Sequence, residues 1–368
     1  MKTIRRLIYG EVLSAVAFVT LGFLSLFFFF DFVEEIQSLG RHPGAEYKLV
    51  HALMYVALMI PSHLYELLPI AVLIGTIFVM ARLAQSSEYT ILRTSGLGPG
   101  RALKTLLLLG AGFVVVTFAI GDYLSPMADR TGQLLKARFQ GRITVGQTGA
   151  WLKEKQRHSQ YAVNVNALDS DGSMRGVRIF EFDSQGFLIS MVQADTALHT
   201  DDDAWSLTQV SRTDFPARGT NTARIDRVQL DTLRWPNQIS GEMVSAALLK
   251  PERMSTIDLF QYIRHLDANA QSAQRYEIEF WKKVFYPLSC LVMVVLALPF
   301  AYLHFRSGSI ATYVFGGVMA GISFFLLNNV FGYIGNLQNW QPWLTAALPG
   351  MIYSLLSLTA FGWLVLRR

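Results

Sequence analysis

The chain has 368 residues, of which 52% are hydrophobic and only 16% charged, with a mean hydropathy of +0.32. Soluble domains carry about a quarter charged residues, so this composition excludes an ordinary soluble enzyme and points to a membrane protein. The formal net charge of +5 does not mark a nucleic-acid binder, because residues 125–275 hold 18 Lys and Arg against 17 Asp and Glu and the surplus sits beside apolar runs.

A membrane-spanning helix needs about 20 apolar residues, and the first such run is Val12 to Phe30. It ends in 27-FFFFDFVEEI-36, whose Asp31-Phe32-Val33-Glu34 offers no small-residue cleavage site, so a retained span is expected rather than a signal peptide. The second run is about Ile60 to Ala81. Then comes 82-RLAQSSEYTILRTSGLGPGR-101, far longer than a connection between spans requires. Its spacing predicts a short helix over about 86–96. A serine caps it, Glu88 lies in its first turn, Tyr89 and Leu92 share a face, and Gly96 closes it. Such a helix could lie on lipid or dock into a cytoplasmic protein. The glycines of 96-GLGPG-100 lack the lysine of a phosphate-binding loop.

The third span is about Ala102 to Gly121. Alternation of period two then runs from about Ile143 to Leu233, in 161-YAVNVNAL-168, 177-VRIFEF-182, 187-FLISMV-192, 205-WSLTQV-210 and 225-IDRVQLDTL-233. The turns 169-DSDG-172, 183-DSQG-186 and 200-TDDD-203 separate these stretches, predicting an all-β sandwich or barrel. An amphipathic helix follows in 255-STIDLFQYIRHLDANAQSAQRYEIEF-280, with Ser255 and Asp258 at its start and Leu259, Ile263 and Leu266 along one face. Spans four to six are about Val284 to Leu303, Ile310 to Phe331 and Trp343 to Leu366.

Basic residues orient these spans. Lys2, Arg5, Arg6, Arg82, Arg93, Arg101, Lys104, Arg306, Arg367 and Arg368 all fall on one side, whereas the opposite short loops carry only Arg41 and Lys48. Both termini are therefore expected in the cytoplasm and the β segment outside the inner membrane. The domains are 1–124 with three spans, 125–275 with the β domain and connecting helix, and 276–368 with three more spans. One cysteine, Cys290, and seven scattered histidines offer neither a disulfide framework nor a metal motif. Asp122 stands alone near the end of span three, with no catalytic constellation in the sequence around it.

The stretch 83-LAQSSEYTILRTSG-96 resembles the cytoplasmic segment of the LptF/LptG family of lipopolysaccharide export permeases. The similarity continues in 59-MIPSHLYELLPIAVLIG-75, 120-IGDYLSP-126 and 275-RYEIEFWKKVFYPLS-289, and in the order of three spans, β domain and three spans. The resemblance implies six transmembrane helices with a periplasmic β-jellyroll-like domain. It implies a transporter subunit, not an enzyme, that extracts lipopolysaccharide from the inner membrane and passes it to a periplasmic bridge. The implied partners are an LptF-like permease, an LptB-like ATPase dimer, an LptC-like bitopic protein and an LptA-like bridge. ATP and magnesium would bind the ATPase, and no cofactor this chain. The short helix becomes the coupling helix, with Glu88, Tyr89, Leu92, Arg93 and Gly96 as its ATPase-coupling residues.

A phosphorylated, multi-acylated glycolipid needs apolar walls and cations at the rim. Phe27 and Phe30 are candidates for the acyl chains, Arg41 and Lys136 for the phosphates, with Arg138 and Arg142 near the latter. Where family members carry lysines at the outer end of span one, this chain has Asp31, Glu34 and Glu35. Glu66, between Pro61 and Pro69, is a candidate cavity residue. Asn328 and Asn329 in span five are candidates for a gate or subunit interface, through hydrogen bonds to another helix. The alternatives are a permease of another ABC system handling lipoprotein or other lipid, and a membrane-embedded glycolipid enzyme. The six-span order argues against the first and the missing catalytic constellation against the second.

Overall fold

The computed structural model describes residues 2–37, 47–140, 150–155, 159–168, 172–200, 204–216, 225–237, 244, 251–302 and 310–363. They divide into two compact units: Met1–Ile36, Val56–Ala128 and Glu277–Arg368 form the first, and Gln37–Tyr55 and Asp129–Tyr276 the second. Among the described residues, six helical segments are long and apolar enough to cross a membrane: Thr3–Gln37, Leu49–Gln85, Pro99–Lys136, Gln274–Tyr302, Ile310–Leu337 and Pro342–Phe361.

The first unit is built from helices α1 (Lys2–Ile36), α2 (Leu49–Gln85), α3 (Glu88–Thr94) and α4 (Pro99–Ala119). A π turn (Ile120–Leu124) leads from α4 into α5 (Ser125–Gln140). The later part of the chain supplies α7 (Gln274–Phe285), α8 (Ser289–Ala297), α9 (Ile310–Leu337) and α10 (Pro342–Phe361). Between lipid-like surfaces there is no hydrophobic drive to pack, so close backbone approach and polar links hold spans together. Gly317 and Gly321, one turn apart on α9, face Ile77 and Ile70 of α2, and a Cβ at either glycine would lie 2.7 Å from an isoleucine methyl. Ser323 of α9 meets the Tyr353 hydroxyl of α10 at 2.5 Å, and that hydroxyl also lies 3.1 Å from the Ala320 carbonyl. The core is centred on α2, with Leu73, Ile77, Met80 and Leu83 fully buried. Spans one and five are exposed along most of their length.

In the second unit, strands β1 (Ala150–Lys155), β2 (Gln160–Leu168), β3 (Met174–Phe182), β4 (Leu188–Thr200), β5 (Ala204–Asp214) and β6 (Asp226–Pro236) form one antiparallel sheet, ordered β1-β2-β3-β4-β5-β6. Alternate residues Val163, Val165, Val177, Ile179, Leu207 and Trp205 are buried, as period two requires. The turn at 183–186 forms as its sequence predicts. Asp183 Oδ1 accepts the Gln185 and Phe187 amides, each at 2.8 Å, and Gly186 takes φ +86°. β6 is an exception, because its residues are almost all exposed despite alternation in its sequence.

The amphipathic stretch 255–280 is not one helix. It divides into α6 (Thr256–Ala268) and α7, because Ala270 adopts φ +51° and the Gln271 amide turns back to the Leu266 carbonyl at 2.9 Å. The start is as expected: Asp258 N–H donates to Ser255 Oγ at 3.1 Å and Ser255 N–H to Asp258 Oδ2 at 3.2 Å. Leu259 and Leu266 are buried, together with Tyr262.

Candidate functional site

Helix α3 occupies seven residues, Glu88–Thr94. An isolated helix this short is marginal in water, so its position depends on what holds its ends and one face. The serine cap expected at its start is absent: Ser87 sits at φ +62° and its side chain makes no capping bond. The C-terminal end is the firm one. Gly96 at φ +102° lets the Gly96 amide reach the Arg93 carbonyl at 3.2 Å and the Leu97 amide reach the Leu92 carbonyl at 3.0 Å. This is the two-bond glycine stop of a helix, with buried Leu97 completing its apolar contact. Arg101 adds a brace by donating from Nη1 to the Gly96 carbonyl at 3.0 Å.

The faces of α3 divide the expected coupling residues into two sets. Tyr89 is 3% exposed and packs edge-on against Tyr302, with ring centroids 5.2 Å apart. Burial raises its hydroxyl pKa above the ordinary tyrosine value. Leu92 packs against the same core. These two hold the helix on its own bundle. Glu88, Ile91, Arg93 and Thr94 are exposed, Ile91 at 63%. Ile91, one turn beyond Glu88, is the outward apolar residue that the Tyr89–Leu92 spacing concealed.

The structure also brings together the other stretches that carry the family resemblance. The π turn directs the Ser125 amide to the Ile120 carbonyl, an i to i+5 bond. The next carbonyl, that of Gly121, accepts a hydrogen bond from buried Lys283 Nζ at 2.9 Å. The Tyr65 ring packs on Gly121, where any Cβ would collide with it, and Lys283 Nζ lies 5.7 Å from its centroid. Ser62 and Ser125 hydroxyls meet at 2.6 Å, and the Tyr286 hydroxyl donates to the Glu66 carbonyl at 2.5 Å. Pro69 removes the amide that would serve the Tyr65 carbonyl of α2, and the carbonyl of the next residue, Glu66, is the one that takes the Tyr286 hydroxyl. Asp122 is buried here, and it, Glu66 and Glu279 each lie close to Tyr65. Neighbouring Lys282 pairs with Glu279 at 2.6 Å. Among the described residues no group of three or more His, Cys, Asp or Glu could hold a metal ion.

The candidate substrate residues are scattered. The Phe27 ring packs tilted against His63 with centroids 5.0 Å apart, and His63 Nε2 lies 2.6 Å from Asp31 Oδ2, so the acidic end of α1 is tied to α2. Phe30 is exposed, as is Glu66, whose backbone carbonyl takes the Tyr286 bond. In the second unit, Lys136 Nζ lies 4.4 Å over the Tyr55 ring. Arg41 and Arg142 lie outside the described residues, as does the side chain of Arg138. Asn328 does not reach another helix in this chain, since its amide returns to the Phe324 carbonyl of its own helix at 3.0 Å, and Asn329 is exposed.

Comparison with known proteins gives a family match along nearly the whole chain. Residues 6–366 match the family described as lipopolysaccharide export system permease LptF/LptG. The lipopolysaccharide export system permease protein LptG of Escherichia coli K12 is 27% identical over 363 residues, covering 98% of this chain and 97% of that protein. LptG of Haemophilus influenzae is 26% identical over 376 residues, covering 100% and 99%.

Proposed function

Because this chain belongs to the LptF/LptG family of lipopolysaccharide export permeases, we propose that it is the LptG-type subunit of an ATP-driven exporter. In this proposal it pairs with an LptF-like permease above an LptB-like ATPase dimer, with an LptC-like protein alongside and an LptA-like bridge receiving the substrate. The chain sits in the inner membrane with both termini in the cytoplasm, as the bias of basic residues favours. Its β domain lies in the periplasm. It contributes no catalytic residue, and ATP and magnesium bind the partner ATPase. The names of the curated relatives favour the LptG side.

The observation that carries the proposal is the outward face of α3. A seven-residue helix with a fixed stop, a buried tyrosine beneath it and Glu88 and Ile91 facing outward is built to transmit force as a rigid peg. Glu88 makes the charged contact to a basic groove, Ile91 the apolar one, and Arg93 a rim contact. Tyr89, Leu92 and Gly96 position them. For the substrate, Phe27 and Phe30 would offer apolar surface to acyl chains, Lys136 and Arg41 charge to phosphates, and Glu66 a polar group on the path. Asn329 lies on the exposed surface of span five, where the second permease subunit would pack.

Co-purification of the full chain with the LptF-like and LptB-like subunits tests this directly. Wild-type protein should retain the ATPase, whereas Glu88→Lys and Ile91→Asp should each lose it while still retaining the permease partner. Equal ATPase retention by all three would overturn the docking role of α3. If even the wild type retains no ATPase, the exporter assignment fails.

A further inference from the structure

Beside α3, on the same end of the bundle, the structure contains a cavity of about 650 Å³. Its walls come from the start of α1 and the first three turns of α4, and the Tyr9 hydroxyl joins those helices by donating to the Thr105 carbonyl at 3.1 Å. Three cations line it, Arg5, Arg101 and Lys104, and none of its lining residues is acidic. Beyond them the wall becomes apolar with Leu107, Leu108 and Ala111, of which Leu108 is 55% exposed. Among the described residues neither Arg5 nor Lys104 has a carboxylate within ion-pair distance, in contrast to Arg82, which pairs with Glu11 at 2.7 Å.

Three like charges around one hollow repel one another unless an anion joins them. Basic pockets between spans at a membrane surface suit phosphate headgroups. The graded wall adds a second requirement: cations at the mouth and leucines one to two turns further along a membrane-spanning helix fit a ligand that is anionic at one end and aliphatic at the other. We propose that this cavity binds an anionic glycerophospholipid of the surrounding leaflet, its phosphate between Arg5, Arg101 and Lys104 and an acyl chain along Leu107, Leu108 and Ala111.

This site goes beyond the export role, and its first consequence is for α3. Arg101 already spends one N–H on the Gly96 carbonyl that closes α3, and a guanidinium has further donors for a phosphate. Leu97, the buried residue of the same helix stop, lines the cavity too. An occupied cavity therefore fixes the 96–101 connection from its open side, making the rigidity of α3 depend on the anionic lipid content of the membrane.

Native mass spectrometry of the purified full chain, titrated with phosphatidylglycerol or with phosphatidylcholine of the same acyl chains, tests the proposal without reference to ATPase or export activity. Phosphatidylglycerol should bind at least ten-fold tighter. Two variants should reduce it to the phosphatidylcholine level: the charge variant Arg5→Gln/Arg101→Gln/Lys104→Gln and the space-filling variant Ala111→Phe, which keeps all three charges. Arg6→Gln, which removes a nearby charge outside the cavity, should bind like wild type. Equal binding of both lipids overturns the proposal. So does loss of binding in the charge variant alone, which would mean surface attraction without a cavity. Competition by glycerol 1-phosphate as strong as by the lipid would make the site a free-phosphate site. Loss of phosphatidylglycerol when the permease partner is bound would make the occupant a protein. The unchanged elution of each variant as a folded species in size-exclusion chromatography keeps a folding defect distinguishable from lost binding.

Discussion

Lys283 Nζ donates to the carbonyl of Gly121 at 2.9 Å, across 162 residues of sequence, and so joins span four to the π turn that ends α4. A buried ammonium bonded in this way is worth about 1.5–3 kcal/mol. Lys283→Met should therefore lower the thermal unfolding midpoint of the detergent-purified chain by several degrees, while Lys283→Arg recovers part of the loss. A midpoint equal to wild type in the methionine variant would show that the π turn does not need this bond.

Gly96 at φ +102° occupies backbone space that L-residues enter only with strain. Gly96→Ala should cost about 1–2 kcal/mol locally and loosen α3 without unfolding the bundle. The expected result is faster hydrogen exchange in residues 88–97 and weaker ATPase retention, with the overall midpoint nearly unchanged. Protection in that peptide unchanged from wild type would contradict the role given to the helix stop.

The approach of α9 to α2 depends on the absence of two side chains. Gly321→Val places methyl groups where the Ile70 methyl already lies, 2.7 Å from the first added carbon. Overpacking of this kind costs about 1–3 kcal/mol. Gly321→Val should lower the folded fraction recovered in detergent, and pairing it with Ile70→Ala should restore much of it. Gly10→Ala, on the open side of α1, should behave as wild type.

His265, on α6, has its pKa lowered by burial, with Glu154 acting in the opposite direction. It stacks on Tyr262 at 6.3 Å and lies beside Asn269. A folded state that disfavours the imidazolium is fully stabilised above the ordinary histidine pKa of about 6.5 and loses stability as pH falls below it. Thermal unfolding of the full chain between pH 7.5 and 5.5 should show a smaller acid-dependent decrease in His265→Gln than in wild type. Identical decreases would mean that the imidazole charges as readily folded as unfolded.

The spans, strands and short helix were readable because each follows a local rule. Twenty apolar residues make a span, alternation makes a strand, and 183-DSQG-186 makes a turn. What sequence reasoning missed arises from contacts distant in the chain. Tyr89 and Leu92 were correctly placed on one face of α3, yet nothing local tells whether that face meets a partner or the chain's own Tyr302. Asp122 stands alone in the sequence because Tyr65, its neighbour in the fold, comes from another span. The intrahelical bond of Asn328 to the Phe324 carbonyl is likewise set by the folded helix and not by its sequence neighbours. The helix stop at Gly96 was legible from the residue alone. The break at Ala270 was not, because alanine rarely takes positive φ.

The order of the sheet also bears on how the chain is made. Among the described residues, every strand pairs only with its neighbours in sequence, from Ala150↔Val165 through Ala204↔Pro236. Contacts so local have low contact order, and low contact order favours rapid folding. The sheet can zip hairpin by hairpin as synthesis proceeds, before spans four to six have left the ribosome. A slow step in biogenesis is then expected at the late closure of α9 onto α2, where glycines must find isoleucines across more than two hundred residues of chain.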